Sequence, residues 1–141
     1  MELRMGSGHL SDQEFVAAFE SCKIPGAEFH HADHVRLALL YVREHGEAGA
    51  ETRLLSGIRK TAVQAGSPQK FHHTMTVAWL RLVAAAHNAD PTAMPFGDWA
   101  VAHPALVDKD SLLRHYSKAL LDSAEALNGW VAPDLLPLVQ D

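Results

Sequence analysis

This chain of 141 residues contains a single cysteine, Cys22. A single cysteine excludes an intramolecular disulfide and a cysteine-rich zinc site. Long apolar runs are also missing, so no segment is predicted to cross a bilayer. The residues before Gly8 lack the apolar stretch of a signal peptide. These absences predict a cytoplasmic protein with no membrane partner.

Basic residues are few, and they are scattered along the chain. Lysine and arginine number 12 against 17 acidic residues, which gives a net charge of −5. A nucleic-acid surface needs a basic stripe, and an anionic membrane attracts a basic cluster. The sequence therefore argues against both partners and favours a small-molecule substrate. It also leaves room for a homodimer through an outer helix face.

The polar–apolar alternation of a strand is missing, and helical spacing dominates. Since 48% of the residues are hydrophobic, the chain can fill one core. We predict an all-α fold, a single-domain bundle of four to five helices at residues 11–141. Residues 1–10 are expected to form a disordered N-terminus. Ser11 and Glu14 have the spacing of a capping box that starts the first helix.

Glycine and proline set the expected helix boundaries. We expect five main helices, at about residues 12–22, 32–45, 48–65, 71–87 and 111–127. The loop between the last two is expected to hold a short helix around Trp99. Pro133 and Pro137 oppose helix formation, so residues 131–141 should form an extended strap. Three leucines of the strap, with Trp130, are expected to pack across the bundle: Leu135, Leu136 and Leu138.

Histidine is abundant, with ten residues in the chain. On a helical wheel, His34 lies near the middle of the apolar face of the second helix, and His30 and His31 flank that face. His72 falls on the inner face of the fourth helix, whereas His73 points away. Imidazole is the commonest protein ligand for a transition metal. Two facing helices could therefore bring three imidazoles onto one ion.

Three neutral imidazoles without a thiolate suit copper, zinc or iron, and they do not suit magnesium or calcium. Three protein ligands leave one coordination position open, which is typical of a catalytic site. The alternative is that each histidine is a separate core residue whose ring is hydrogen-bonded to the backbone. The wheel alone does not choose between His30 and His31 as the partner of His34.

Four linked motifs resemble a family of small, poorly characterised all-helical bacterial proteins. They are a histidine pair at His31 and His34 followed by an aliphatic helix, a Tyr-His-Glu-Thr-x-Thr-like segment at residues 71–76, Tyr116-Ser117, and a Pro-Asp-Leu-x-Pro-Leu ending at residues 133–138. The resemblance covers about residues 28 to 138. It selects His31 as the partner of His34, and it also selects His72. The chain departs from the pattern at His73, where the family pattern has glutamate.

The residues near these histidines favour oxygen or redox chemistry over hydrolysis. A metal-dependent hydrolase usually needs a general base near the bound water, and Asp33 and Glu44 point off the apolar face of their helix. Tyr116 points inward and is the candidate catalytic residue, as a hydrogen-bond donor beside the metal. We therefore predict a metalloenzyme that binds one transition-metal ion through His31, His34 and His72.

Three other functions remain open. The histidines could hold a metal or a small ligand without turnover, with His30, His73 or His115 as a fourth ligand. The protein could also be a zinc hydrolase. Finally, it could be a helical interaction domain that binds no metal.

Overall fold

The computed structural model describes residues 4–139, and this part of the chain contains helices and no strand. The all-α prediction is thus confirmed. The α-helices are α1 (Asp12–Glu20), α2 (His31–Gln64), α3 (His73–Ala89), α4 (Phe96–Ala102), α5 (Lys118–Leu121) and α6 (Ala124–Asn128). Short 3₁₀ turns cover Gly26–Glu28, Pro68–Lys70, Pro104–Val107 and Lys109–Arg114. Within the described residues, no helix is both long enough and apolar enough to cross a membrane.

Helix α1 begins at the capping box that the sequence predicted. The Ser11 hydroxyl accepts a hydrogen bond from the Glu14 amide at 3.1 Å, and the Glu14 carboxylate accepts one from the Ser11 amide at 2.9 Å. The hydrogen bond that the Ser11 amide donates to the Glu14 carboxylate holds the pKa of Glu14 below its usual value. Phe15 and Phe19 from this helix enter the core.

Helix α2 is a hairpin of two halves, residues 31–45 and 47–64, joined at Gly46. Gly46 has φ +75° and ψ 175°, a conformation that side chains with a Cβ rarely adopt. The chain reverses there, because the second half returns until Ala65 lies against Gly26. The two predicted helices that meet at Gly46 are therefore both present.

Helix α3 packs along the α2 hairpin and forms the main core with it. The central side chains of this core are fully or nearly fully buried: Val35, Leu37, Leu39, Leu54, Leu80 and Val83. The predicted short helix around Trp99 is present as α4, and Trp99 is fully buried against the same core. A second cluster surrounds Trp79 and Tyr116.

The prediction of one helix over residues 111–127 is wrong. The segment breaks into a 3₁₀ turn, α5 and α6. The hydroxyls of Ser117 and Ser123 accept hydrogen bonds from the amides of Leu120 and Ala126, so each serine starts a new short helix. Serine oxygens compete with the backbone acceptors that a continuous helix needs.

The C-terminal strap contains no helix within residues 131–139, as predicted, and is held by polar contacts. The Tyr116 hydroxyl donates to the Val131 carbonyl at 2.7 Å, and the Leu135 amide donates to the His115 carbonyl at 2.9 Å. Trp130, Val131 and Leu138 pack on the second cluster, as the sequence predicted for Trp130 and Leu138. Two other leucines expected to pack there are instead more than half exposed: Leu135 and Leu136.

The N-terminal segment packs against α2, contrary to the prediction of disorder for residues 1–10. Ser7 is buried, and its amide donates to the carboxylate of Asp33 at 2.9 Å. The Arg36 guanidinium donates to the carbonyls of Ser7 and Leu10, both at 2.8 Å. This segment covers Asp33 and Arg36, which the helical wheel placed on a solvent-facing side. Residues 1–3 lie outside the described part of the chain.

Candidate functional site

A cavity of about 500 Å³ opens between the end of the α2 hairpin, the start of α3 and the segment 109–122. His31, His34 and His72, the three candidate metal ligands, all line it. The first two come from the first turn of α2, one helical turn apart, and His72 directly precedes α3. Tertiary packing thus brings together histidines that are far apart in the sequence.

His34 has a free ring nitrogen in this site. Its Nε2 atom is buried, and it has no hydrogen-bond partner among residues 4–139. Burial, with a smaller effect from the neighbouring His31, lowers the pKa of His34 from 6.5 to about 3. The imidazole is therefore neutral at physiological pH, which is the form that binds metals. A buried nitrogen without a partner is unusual in a folded protein and calls for an explanation.

His31 is already hydrogen-bonded. Its Nε2 atom lies 3.0 Å from the Leu106 carbonyl, so this nitrogen carries the proton and donates. The ring packs on Trp79, with 4.3 Å between the ring centroids. Burial lowers the pKa of His31, although the Leu106 carbonyl and nearby Asp108 act in the opposite direction. His31 is thus held in place by one carbonyl and one aromatic ring.

His72 directly precedes helix α3 and caps its N-terminus. The helical wheel had instead placed His72 within the helix, on its inner face. Its Nδ1 atom accepts a hydrogen bond from the Met75 amide at 3.1 Å. Its Nε2 atom donates to the Leu121 carbonyl at 2.8 Å. Both ring nitrogens are therefore in use, and the side chain ties the start of α3 to the end of α5.

The three imidazoles share a cavity, but their nitrogens do not converge. Within residues 4–139, no three side chains of the metal-binding types are grouped closely enough to hold an ion. An imidazole binds a metal through one nitrogen, so His72 would exchange one of its two hydrogen bonds for a metal bond, while His31 could bind through Nδ1 and keep Nε2 on the Leu106 carbonyl. Each such hydrogen bond contributes roughly 1 kcal/mol to stability, whereas a structural zinc site contributes on the order of 10 kcal/mol. The residue types suit a transition metal, whereas the arrangement of the described residues is not that of a metal site.

The histidines considered as a fourth ligand lie in different places. His30 lines the cavity. His73 does not line it, and its Nδ1 atom is buried without a partner in the described chain. His115 contacts the strap, where its Nδ1 atom lies 3.0 Å from the Pro137 carbonyl. His30 is thus the one of the three that is placed near the other cavity histidines.

Tyr116 is not among the residues that line the cavity. Its ring is buried in the second cluster, and its hydroxyl donates a hydrogen bond to the Val131 carbonyl. Burial raises the pKa of Tyr116 to about 12. This geometry gives Tyr116 a role in holding the strap, and it does not bring the hydroxyl to the three histidines.

The sequence prediction missed the charged residues of the cavity. Two carboxylates and three lysines line it: Asp110, Asp122, Lys70, Lys109 and Lys118. Lys118 and Asp122 form an ion pair with 2.6 Å between Nζ and Oδ2. The signal for this arrangement was the pair of serines at positions 117 and 123. They break the expected helix and fold residues 109–122 across the cavity.

The remaining wall is apolar and aromatic. Phe29 and Ile58 come from the α2 side, Met75 and Trp79 from α3, and Leu112 from the 3₁₀ turn. An apolar wall with a few polar groups is the usual composition of a small-molecule site. Comparison with known proteins finds no family model, curated protein or solved structure that matches this chain.

Proposed function

We propose that this protein is a metal-dependent enzyme that binds one copper, zinc or iron ion through His31, His34 and His72. We further infer that it acts on a small molecule in the cytoplasm, and that it belongs to the bacterial family its motifs resemble. The observation that carries the proposal is the shared cavity together with the free, buried Nε2 atom of His34. When the neutral ring of His34 carries its proton on Nδ1, the lone pair of Nε2 gains a partner when a metal binds.

Different residues of the cavity would bind different parts of a substrate. Trp79, Met75 and Leu112 present an apolar surface to the body of a substrate, and Lys70 and Lys109 can attract an anionic group. Burial keeps His31 and His34 neutral, so that their nitrogen lone pairs are available to a metal. When bound, a transition metal with three protein ligands would supply Lewis acidity or electron transfer at its open position.

The reaction class depends on the metal. The sequence favoured oxygen or redox chemistry because an inward carboxylate was missing. Asp110 and Asp122 line the cavity, which removes that argument against hydrolysis. Asp110 is the better candidate for a general base, because the Asp122 carboxylate is paired with Lys118. Copper or iron would favour a redox reaction, and zinc would favour hydrolysis with Asp110 as the base.

A second candidate is a non-catalytic module that binds a small organic ligand without a metal. It is favoured by the hydrogen bonds of His31 and His72. These bonds occupy Nε2 of His31 and both ring nitrogens of His72. In this case the ligand would hydrogen-bond to Nε2 of His34. The cavity volume of about 500 Å³ suits a molecule of that kind.

Metal analysis of the purified, untagged protein distinguishes these two functions. We would measure copper, iron and zinc by mass spectrometry, before and after incubation with each metal under reducing and aerobic conditions. The variants are His31→Ala, His34→Ala and His72→Ala. The matched control is His9→Ala, because His9 is exposed and does not line the cavity.

The proposal predicts about one equivalent of one metal in the native protein and in the His9 variant. Each of the three cavity variants should lose it. Native protein without metal after every reconstitution would reject the metalloenzyme and leave the ligand-binding module. Metal that is retained in the cavity variants would place the ion elsewhere and would also reject the proposal.

A further inference from the structure

A second groove, of about 540 Å³, lies between α1 and the Gly46 end of the α2 hairpin. Its polar residues include Asp12 and Glu20 from α1, Tyr41 and Glu44 from the first half of α2, and Arg53 from the second half. None of these residues lines the histidine cavity. The groove is therefore a separate candidate site.

The groove carries an excess of negative charge. Asp12 is already paired, because the Arg36 guanidinium donates to its carboxylate at 2.9 and 3.2 Å. Glu20 has no hydrogen bond or ion pair within residues 4–139, and Glu44 lies 3.8 Å from the ring of His45. Arg53 provides one positive charge. Two carboxylates against one free cation leave the groove with a net negative charge.

Tyr41 is the feature that points to a ligand. Its side chain is only 2% exposed, yet its hydroxyl makes no hydrogen bond within the described chain. Burial raises the pKa of Tyr41 to about 12, and Glu20 and Glu44 add to the effect while Arg53 opposes it. The charges of the groove thus act on this hydroxyl, which stays protonated at neutral pH. Tyr41 lines the groove, and its hydroxyl is not among the fully buried polar atoms that lack a partner, so this hydroxyl is accessible to a molecule in the groove.

We propose that this groove binds a small aliphatic amine in its ammonium form. The ammonium group donates hydrogen bonds to the Tyr41 oxygen and to the carboxylates of Glu20 and Glu44. An ammonium has three donors and no acceptor, which matches these three oxygen groups. The aliphatic stem packs on the apolar side of the groove, formed by Val16, Ala17 and Leu40.

A metal cation fits the groove less well than an amine. Calcium takes about six to eight oxygen ligands, and the groove offers two free carboxylates and one phenol. The Asp12 carboxylate is held by Arg36, and Arg53 adds a repelling charge. A metal would also gain nothing from the apolar wall. A cation with a short carbon chain uses both kinds of surface.

An NMR titration with butylammonium chloride tests the proposal. The full-length protein is labelled with nitrogen-15, and the amide shifts of Glu20, Tyr41 and Glu44 are followed at constant ionic strength. Butan-1-ol is the neutral probe of similar shape. The variants are Tyr41→Phe, which removes only the hydroxyl, and the double variant Glu20→Gln with Glu44→Gln. Glu125→Gln is the control, since Glu125 is an exposed acid that does not line the groove.

We expect saturable shifts at the three groove amides with butylammonium and none with butanol. Losing a charge-assisted hydrogen bond should weaken binding about tenfold in Tyr41→Phe, and the double variant should bind more weakly still. Glu125→Gln should stay within about twofold of the native Kd. Shifts that do not saturate, that butanol reproduces, or that Tyr41→Phe leaves unchanged would each overturn the proposal.

Discussion

The ring of Phe19 lies directly on the backbone of Gly57. A Cβ atom added to Gly57 would lie 2.3 Å from the Cε2 atom of this ring. Phe19 is buried, stacks on Phe29 and meets the edge of Tyr41, so the ring has no free space to move into. The close approach of α1 to the second half of α2 depends on the missing side chain.

Gly57→Ala should therefore destabilise the protein by about 1–3 kcal/mol, as measured by urea unfolding. Gly97→Ala is the control, because a Cβ at Gly97 meets no atom within 4 Å. That change should leave the free energy of unfolding the same or raise it by up to about 1 kcal/mol. Combining Gly57→Ala with Phe19→Leu should restore part of the loss. Equal stability of the two alanine variants would contradict the packing argument.

Asp33 fixes the N-terminal segment, and its replacement by asparagine should be costly. The buried carboxylate accepts hydrogen bonds from the amides of Gly6, Ser7 and His30 at 2.8–3.0 Å, and from the Ser7 hydroxyl. The NH₂ group of an asparagine would face some of these N–H and O–H donors and cannot accept a hydrogen bond from them. We expect a loss of about 2–4 kcal/mol in the free energy of unfolding. Asp98→Asn, at an exposed site, should change it by less than about 0.5 kcal/mol.

The stability of the protein should fall as the pH is lowered below about 6.5. The pKa of His34 is 6.5 in the unfolded chain and about 3 in the folded protein, so unfolding takes up a proton between these values. The free energy of unfolding then decreases by up to about 1.4 kcal/mol per pH unit on acidification. Above pH 6.5 this contribution is complete and constant.

His34→Gln should flatten this pH dependence, since glutamine does not titrate. The measurement is urea unfolding at several pH values between 7.5 and 4.5. A smaller slope should remain in the variant, because burial also lowers the pKa of His31. His9→Gln, at an exposed site, should keep the native slope. Identical slopes for all three proteins would show that His34 does not titrate on unfolding.

Tyr116→Phe separates a structural role from a catalytic one. The Tyr116 hydroxyl holds the strap through the Val131 carbonyl. Its removal leaves that carbonyl without this partner, and we expect a loss of about 1 kcal/mol in the free energy of unfolding. Metal content and turnover should stay at native values. A large fall in turnover with unchanged metal content would instead support the catalytic assignment made from the sequence.

The helices that depend on local signals could be predicted from the sequence. The capping box of Ser11, the turn at Gly46 and the end of the hairpin near Gly66 are each set by a few neighbouring residues. The segment after Asp110 could not be predicted in the same way. Its apolar spacing favours one helix, and it breaks because Ser117 and Ser123 bind backbone amides.

The cavity could be predicted in part. Helical spacing placed His34 on a buried face, and the motif pattern added His31 and His72; all three line one cavity. The sequence could not show that His31 and His72 bind backbone carbonyls, since Leu106 and Leu121 are far away along the chain. It also could not show that residues 4–10 bury Asp33 and Arg36. A helical wheel treats every polar face as solvated, whereas a distant segment can cover it.

The Gly46 turn also has a consequence for the order of folding. Residues next to Gly46 come together after a very short loop closes, whereas His31 and Ile58 reach the cavity that both line only when almost the whole hairpin has formed. Loop-closure entropy favours contacts between residues that are close in sequence. The hairpin should therefore form first at Gly46 and then extend towards the histidines. The cavity is therefore the last part of the hairpin to assemble and the first to fray. Amide hydrogen exchange should accordingly be faster around His34 than around Val42.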